Sequence, residues 1–181
     1  MKPLKPLLLL LMLSTPWSLA AQQRYFAEKS VVSFFSDGVV EDISATNAKV
    51  TSIFDAQDGE VAYLLGVKDF QFVNKTMQIH FNEKYMDSEK FPKSSFQGQI
   101  IGFSLAAGGK QDVHAKGKLT LHGVTKEIDV PGTIEVVGNR LALKSKFIVK
   151  LSDYNIKIPQ LVWQNIAQQV EVTLDFMYRP L

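Results

Sequence analysis

Val113-His114-Ala115-Lys116-Gly117-Lys118-Leu119-Thr120-Leu121-His122-Gly123-Val124 is the stretch on which the architecture of this chain turns. From Val113 to Leu121 every odd position is apolar or small, and the even positions between them are His, Lys, Lys and Thr. A period of two places one set on a buried face and the other in water, which is a half-buried β-strand and not a helix. His122-Gly123 then interrupts the alternation for two residues, and a second apolar run begins at Val124. A two-residue break ending in Gly between two such runs predicts a hairpin.

The same pattern extends in both directions. Leu141, Leu143, Ser145, Phe147, Val149 and Leu151 alternate with Ala142, Lys144, Lys146, Ile148 and Lys150, and Val170, Val172, Leu174 and Phe176 alternate with Glu171, Thr173 and Asp175. Less regular strands are expected over 25–36, 47–55, 60–72, 94–105 and 124–137, with turn signals at Asp58-Gly59, Gly108-Gly109 and Gly138-Asn139. That makes eight strands, joined mostly by connections too short for a parallel crossover, so the sheet is expected to be antiparallel. Two segments depart from the alternation. Residues 75–86 put Met77, Phe81 and Tyr85 at steps of four, as in a short amphipathic helix, and Pro92 bars helix just before it. Residues 153–168, with Pro159, read as a loop containing one or two helical turns.

Eight strands with one apolar face suggest an all-β closed barrel, since closure leaves no exposed edge. A barrel of that size is either filled by side chains or wide enough for one small ligand. Small residues on the apolar parity bear on the choice: Gly98 beside Phe96 and Ile100, Ala115 and Gly117 among the long residues of their strand, and Ser145. Missing volume at these positions would leave a tall, greasy hollow. Glycine in a long strand equally marks a bend in a filled core, and the pattern alone leaves both readings open.

Composition bounds what such a barrel can do. Of 181 residues, 46% are hydrophobic and none is Cys, so the fold must rest on its core without disulfides. Residues 1–20 open with Lys2 and Lys5, continue with the apolar run 7–13 and end in Ser18-Leu19-Ala20, the three-part pattern of a secretory signal peptide cut after Ala20. Ser14, Thr15, Pro16 and Ser18 interrupt it too early for a membrane span. A periplasmic or secreted protein of residues 21–181, forming one domain without a membrane anchor, is the expectation. Removing Lys2 and Lys5 from the 20 basic residues leaves 18 against 18 acidic ones, a net charge of zero. A neutral chain offers no footprint for nucleic acid.

Catalytic chemistry finds little support. Without Cys there is no thiolate nucleophile, and His80, His114 and His122 are too dispersed to converge on a metal, so they read as solvated surface residues. Gly102-Phe103-Ser104-Leu105-Ala106 resembles a nucleophile elbow only loosely and runs into the Gly108-Gly109 turn, not the helix that motif requires. No cofactor motif is present. A barrel enzyme on a lipid substrate would need polar groups pointing inward, for which Tyr63 and Ser145 are the only hints.

Three runs carry a family resemblance: 77–98, from Met77-Gln78-Ile79-His80-Phe81 through Phe91-Pro92 to Phe96-Gln97-Gly98; Gly117-Lys118-Leu119-Thr120-Leu121-His122-Gly123-Val124-Thr125-Lys126; and Phe147 to Tyr154 together with Val170-Glu171-Val172-Thr173-Leu174. In this order they resemble the YceI family of exported bacterial proteins, notably its short Bacteroidetes-type forms. The resemblance implies a lipocalin-like, extended eight-stranded barrel with a short helix near one mouth and a hydrophobic channel holding a long-chain isoprenoid or fatty lipid. On that reading the channel is lined by Phe70, Phe72, Met77, Phe81, Phe96, Gly98, Ala115, Gly117, Leu119, Leu121, Ser145, Phe147 and Val149, with Met77 and Phe81 as an adaptable gate. An envelope assembly partner without a ligand is the other alternative to a carrier.

Overall fold

The computed structural model describes residues 23–38, 42–158 and 168–181. The proposed signal peptide and residues 159–167 of the expected loop therefore lie outside the described residues.

Nine strands follow one another: β1 (Arg24–Ser36), β2 (Ile43–Asn47), β3 (Thr51–Asp55), β4 (Glu60–Gly66), β5 (Lys93–Ile101), β6 (Lys110–Leu121), β7 (Val124–Val137), β8 (Arg140–Lys150) and β9 (Gln169–Pro180). Each pairs antiparallel with its neighbours, and β9 returns to β1 to close the barrel. The nine segments fill eight places, because β2 runs along the second half of β1 and β3 along its first residues. The expected strand 47–55 is thus the end of one segment and the whole of the next. Asn47, fully buried, marks the break: its Nδ2 donates to the Gly66 carbonyl at 2.9 Å, while its Oδ1 accepts from the Lys49 amide at 2.8 Å. These two bonds replace the ladder bonds that the chain gives up between β2 and β3.

The quoted hairpin forms as expected. Leu121 pairs with Val124 across His122 and Gly123, both at positive φ (50° and 73°), the conformation a two-residue turn requires when it follows the sheet twist.

Between β4 and β5 lies α1 (Lys75–His80), followed by one wider turn over Phe81–Tyr85. Asn74 caps it, its Oδ1 accepting from the Thr76 amide at 2.9 Å. The expected helix over 75–86 is therefore only partly α-helical. Six residues are too few to stand alone in water, and Phe81 holds the element down. Its ring stacks on Phe34 at 5.5 Å and meets Phe70 at 5.7 Å and Phe72 at 5.0 Å.

The interior divides in two. At the end away from α1 it is solid: Phe54, Ile134, Leu141, Phe176 and Tyr178 are almost wholly buried there. The Phe54 ring lies 5.6 Å from Phe103 and 6.1 Å from Tyr178. The Tyr178 hydroxyl lies 2.6 Å from Ser52 Oγ, which donates to the Ala62 carbonyl at 2.8 Å and so accepts from the tyrosine. The end facing α1 is hollow.

Among the described residues, the ladder between β7 and β8 runs only from Val137↔Arg140 to Gly132↔Ser145. The next residue of β7 is Pro131, which has no N–H to give. Ser145 Oγ instead donates to the Pro131 carbonyl at 2.6 Å. Beyond that point β7 stays paired to β6 and β8 to β9, but 124–131 and 146–150 part from each other. The slit is closed at its far end by His122, whose Nδ1 lies 3.0 Å from the Tyr154 carbonyl and must donate to it, and is spanned by Lys126 and Asp153 at 3.4 Å.

Candidate functional site

A cavity of about 370 Å³ opens under α1. Its walls are the mouth-side inward residues of the strands: Val32 and Phe34 of β1, Tyr63 and Leu65 of β4, Leu119 and Leu121 of β6, Phe147 and Val149 of β8, Val170 and Val172 of β9. Its roof is Met77, His80, Phe81, Tyr85 and Met86, with Phe70 and Phe72 from the segment leading into the helix. None of the lining residues is Asp, Glu, Lys or Arg. Ser94 spends its hydroxyl on the Thr120 carbonyl at 2.9 Å, which removes it as a polar feature of the wall.

Eight of the residues expected in the lining are brought together here: Phe70, Phe72, Met77, Phe81, Leu119, Leu121, Phe147 and Val149. The other five, Phe96, Gly98, Ala115, Gly117 and Ser145, are not on the cavity wall. Phe96 is core, stacked on Tyr63 at 5.8 Å. Gly98 and Gly117 face each other across β5 and β6, and a Cβ on either would run into backbone of the opposite strand. They permit two strands to approach closely, so the space at these glycines is taken by backbone and is not missing volume. Ala115 sits next along β6, and Ser145 is taken by the Pro131 carbonyl. The hollow comes instead from the α1 end of the barrel being roofed by a helix without side chains to fill it. It is also a blind cup. Below Tyr63 the packed half closes the way, so the expected open channel stops midway.

Sequence reasoning missed several wall residues for identifiable reasons. Phe34 and Val32 were hidden by a bulge between Ala27 and Lys29, after which the inward parity of β1 shifts by one: Tyr25 and Ala27 point in, then Ser30, Val32 and Phe34. Leu65 and Val67 continue the parity of Tyr63, and Val170 and Val172 that of Leu174, so alternation could have found them.

Tyr63 is held between Phe96, stacked, and Phe176, edge-on at 6.4 Å. Burial, reinforced by the neighbouring Tyr154 hydroxyl, pushes its pKa far above the ordinary phenol value, so it stays protonated. A second cavity of about 260 Å³ occupies the slit between β7 and β8 and shares Leu119, Phe147 and Val149 with the first. Its rim carries Lys126, Glu127, Lys150 and Asp153, charges of both signs.

The histidines divide. His114 is exposed, its Nδ1 2.9 Å from Asp129, which lies below the usual carboxylate range because His114 and Lys116 hydrogen-bond to it. His122 is not simply a solvated surface residue: it packs on Phe91 at 4.5 Å and closes the slit. No group of three or more metal-ligating side chains comes together among the described residues.

A closed antiparallel barrel holding a blind apolar cup under a short helix defines the class of this protein. The model of the YceI-like domain matches residues 24–178, and the chain belongs to that family. Solved structures share the fold. A polyisoprenoid-binding domain from Saccharophagus degradans, implicated in plant cell wall breakdown, superposes with a TM-score of 0.74 at 15% identity, covering 88% of this chain and 99% of its own. BcnA from Burkholderia cenocepacia gives 0.69 at 22% identity over 82% and 95%. The YceI protein of Campylobacter jejuni gives 0.58 at 14% identity over 71% and 80%. No curated protein matches the sequence.

Proposed function

We propose that the protein binds and carries a long apolar chain, isoprenoid or fatty, with one end of that chain seated in the cup under α1. The observation that carries this is the uncharged lining of a 370 Å³ cavity, within the size range of small-molecule sites. The polyisoprenoid-binding activity of the Saccharophagus domain supports the choice of ligand. Enclosing some ten to fifteen methylene-sized groups yields roughly 8–12 kcal/mol before ordering costs, against about 8 kcal/mol net for a micromolar complex. A long chain exceeds the blind cup, so part of it passes the mouth beside Met77 and Phe81, whose thioether and ring adapt to its width. The work is sequestration of an insoluble chain, not turnover. The pattern of residues 1–20 supports export, with residues 21–181 acting as one periplasmic or secreted unit.

Organic extraction of the purified protein followed by mass spectrometry is the direct test. A stoichiometric long-chain lipid is the expected result. Lipid-free extracts from several hosts, with no uptake of added isoprenoid alcohol or fatty probe, overturn the proposal. Chemical change in an extracted lipid on incubation would favour the enzyme reading instead.

A further inference from the structure

The cup has one polar group at its inner end. Tyr63 lies on the wall where the hollow half meets the packed half, level with Phe96 and Leu119 along the paired strands β4, β5 and β6. Its ring stacks on Phe96 and meets Phe176 at nearly a right angle, and the side chain lines the cavity. That hydroxyl has no hydrogen-bond partner among the described residues, whereas Tyr178, one layer down in the packed half, has Ser52. Unlike Ser36 Oγ, which is buried without a partner, the Tyr63 hydroxyl keeps accessible surface in the cup.

We propose that Tyr63 recognises the ligand, hydrogen-bonding an uncharged oxygen at the end of the chain that seats innermost. This rests on the carrier reading and sharpens it to a ligand class: an apolar chain ending in an alcohol, aldehyde, ketone or ester, bound oxygen-inward. A phosphate or carboxylate does not fit that place, because no Lys or Arg lines the cavity to pair with a buried negative charge. The phenol, which stays protonated, donates to a carbonyl or ester oxygen and exchanges either role with an alcohol.

The test compares Tyr63→Phe with the unaltered protein on two ligands, a linear isoprenoid alcohol and the hydrocarbon of the same carbon count, by displacement of a neutral environment-sensitive dye. The unaltered protein is expected to favour the alcohol beyond what its lower hydrophobicity allows, and Tyr63→Phe to lose about fivefold in affinity for the alcohol with none lost for the hydrocarbon. Equal losses on both ligands, or no loss on either, overturn the inference while leaving the carrier reading standing. Binding of neither ligand by the unaltered protein would remove both. Thermal unfolding of the variant guards the comparison, since no hydrogen bond among the described residues is lost with the hydroxyl.

Discussion

The two halves of this barrel are built from the same alternating strands and end up with opposite interiors. In the half away from α1, inward residues from every side meet: Phe54, Ile134, Leu141, Phe176 and Tyr178 leave almost no surface accessible. In the half under α1 the inward residues are just as large, with Phe34, Phe70, Phe72, Phe81 and Phe147, yet a cavity remains. Side-chain size therefore does not decide where a barrel is hollow. In the packed half the chain crosses the barrel end with inward-pointing Phe103, which reaches Phe54, while the hollow half is spanned by a helix whose aromatics cluster with Phe34 at the rim.

The largest effect expected from this contrast is on stability. In urea unfolding Phe54→Ala should cost about 3–5 kcal/mol and Ile134→Ala about 2–5 kcal/mol, as a buried large side chain leaves a void in dense packing. Phe147→Ala, whose ring already borders empty space, should cost well under half as much and should weaken lipid binding instead. Equal costs for the two sites would erase the distinction between the halves.

A second pair of substitutions sharpens it. Gly117→Ala should cost about 1–3 kcal/mol, because its Cβ meets the β5 backbone, and should leave the affinity of the folded fraction unchanged. Leu121→Trp, pointing into free volume, should reverse that outcome: near-normal unfolding and impaired uptake of the isoprenoid alcohol.

Tyr178 and Tyr63 allow a test by pH. Burial raises both phenols above the ordinary value, Tyr178 despite its Ser52 hydrogen bond. The unfolded chain loses these protons as pH passes about 10 while the folded chain keeps them. Their contribution is thus complete below about pH 10 and falls as pH rises above it. Denaturant unfolding across that range should show the decline, and Tyr178→Phe should flatten it; an unchanged slope in the variant would place the alkaline sensitivity elsewhere. The smallest expected effect is at the slit, where Lys126→Ala removes an exposed ion pair and should shift stability by no more than about 1 kcal/mol.

How much of this was legible in the sequence follows from the physics of alternation. The strands β6, β8 and β9 could be read directly because each carries a period of two with mostly polar or charged residues on the wet face. The first strand was only half legible, since the bulge at Ala27/Lys29 swaps its faces midway and conceals Phe34. Glycines 98 and 117 looked like missing volume because a sequence records an absent side chain but not the distance to the strand that uses the space. The division into a filled and a hollow half was not legible at all, because it depends on what closes each end of the barrel. Tyr63 was visible as an inward polar residue, but its lack of a partner became apparent only with Phe96 and Phe176 in place.

The parting of β7 from β8 has a mechanical consequence. A sheet hydrogen-bonded all the way round has a fixed girth, whereas here the circumference near the rim is interrupted from Pro131 onward. Widening the vessel along that line breaks no main-chain bond and disturbs chiefly the Lys126–Asp153 contact and the His122 clasp. The bore of the hollow end is thus set by side chains, while the plugged end below keeps its diameter.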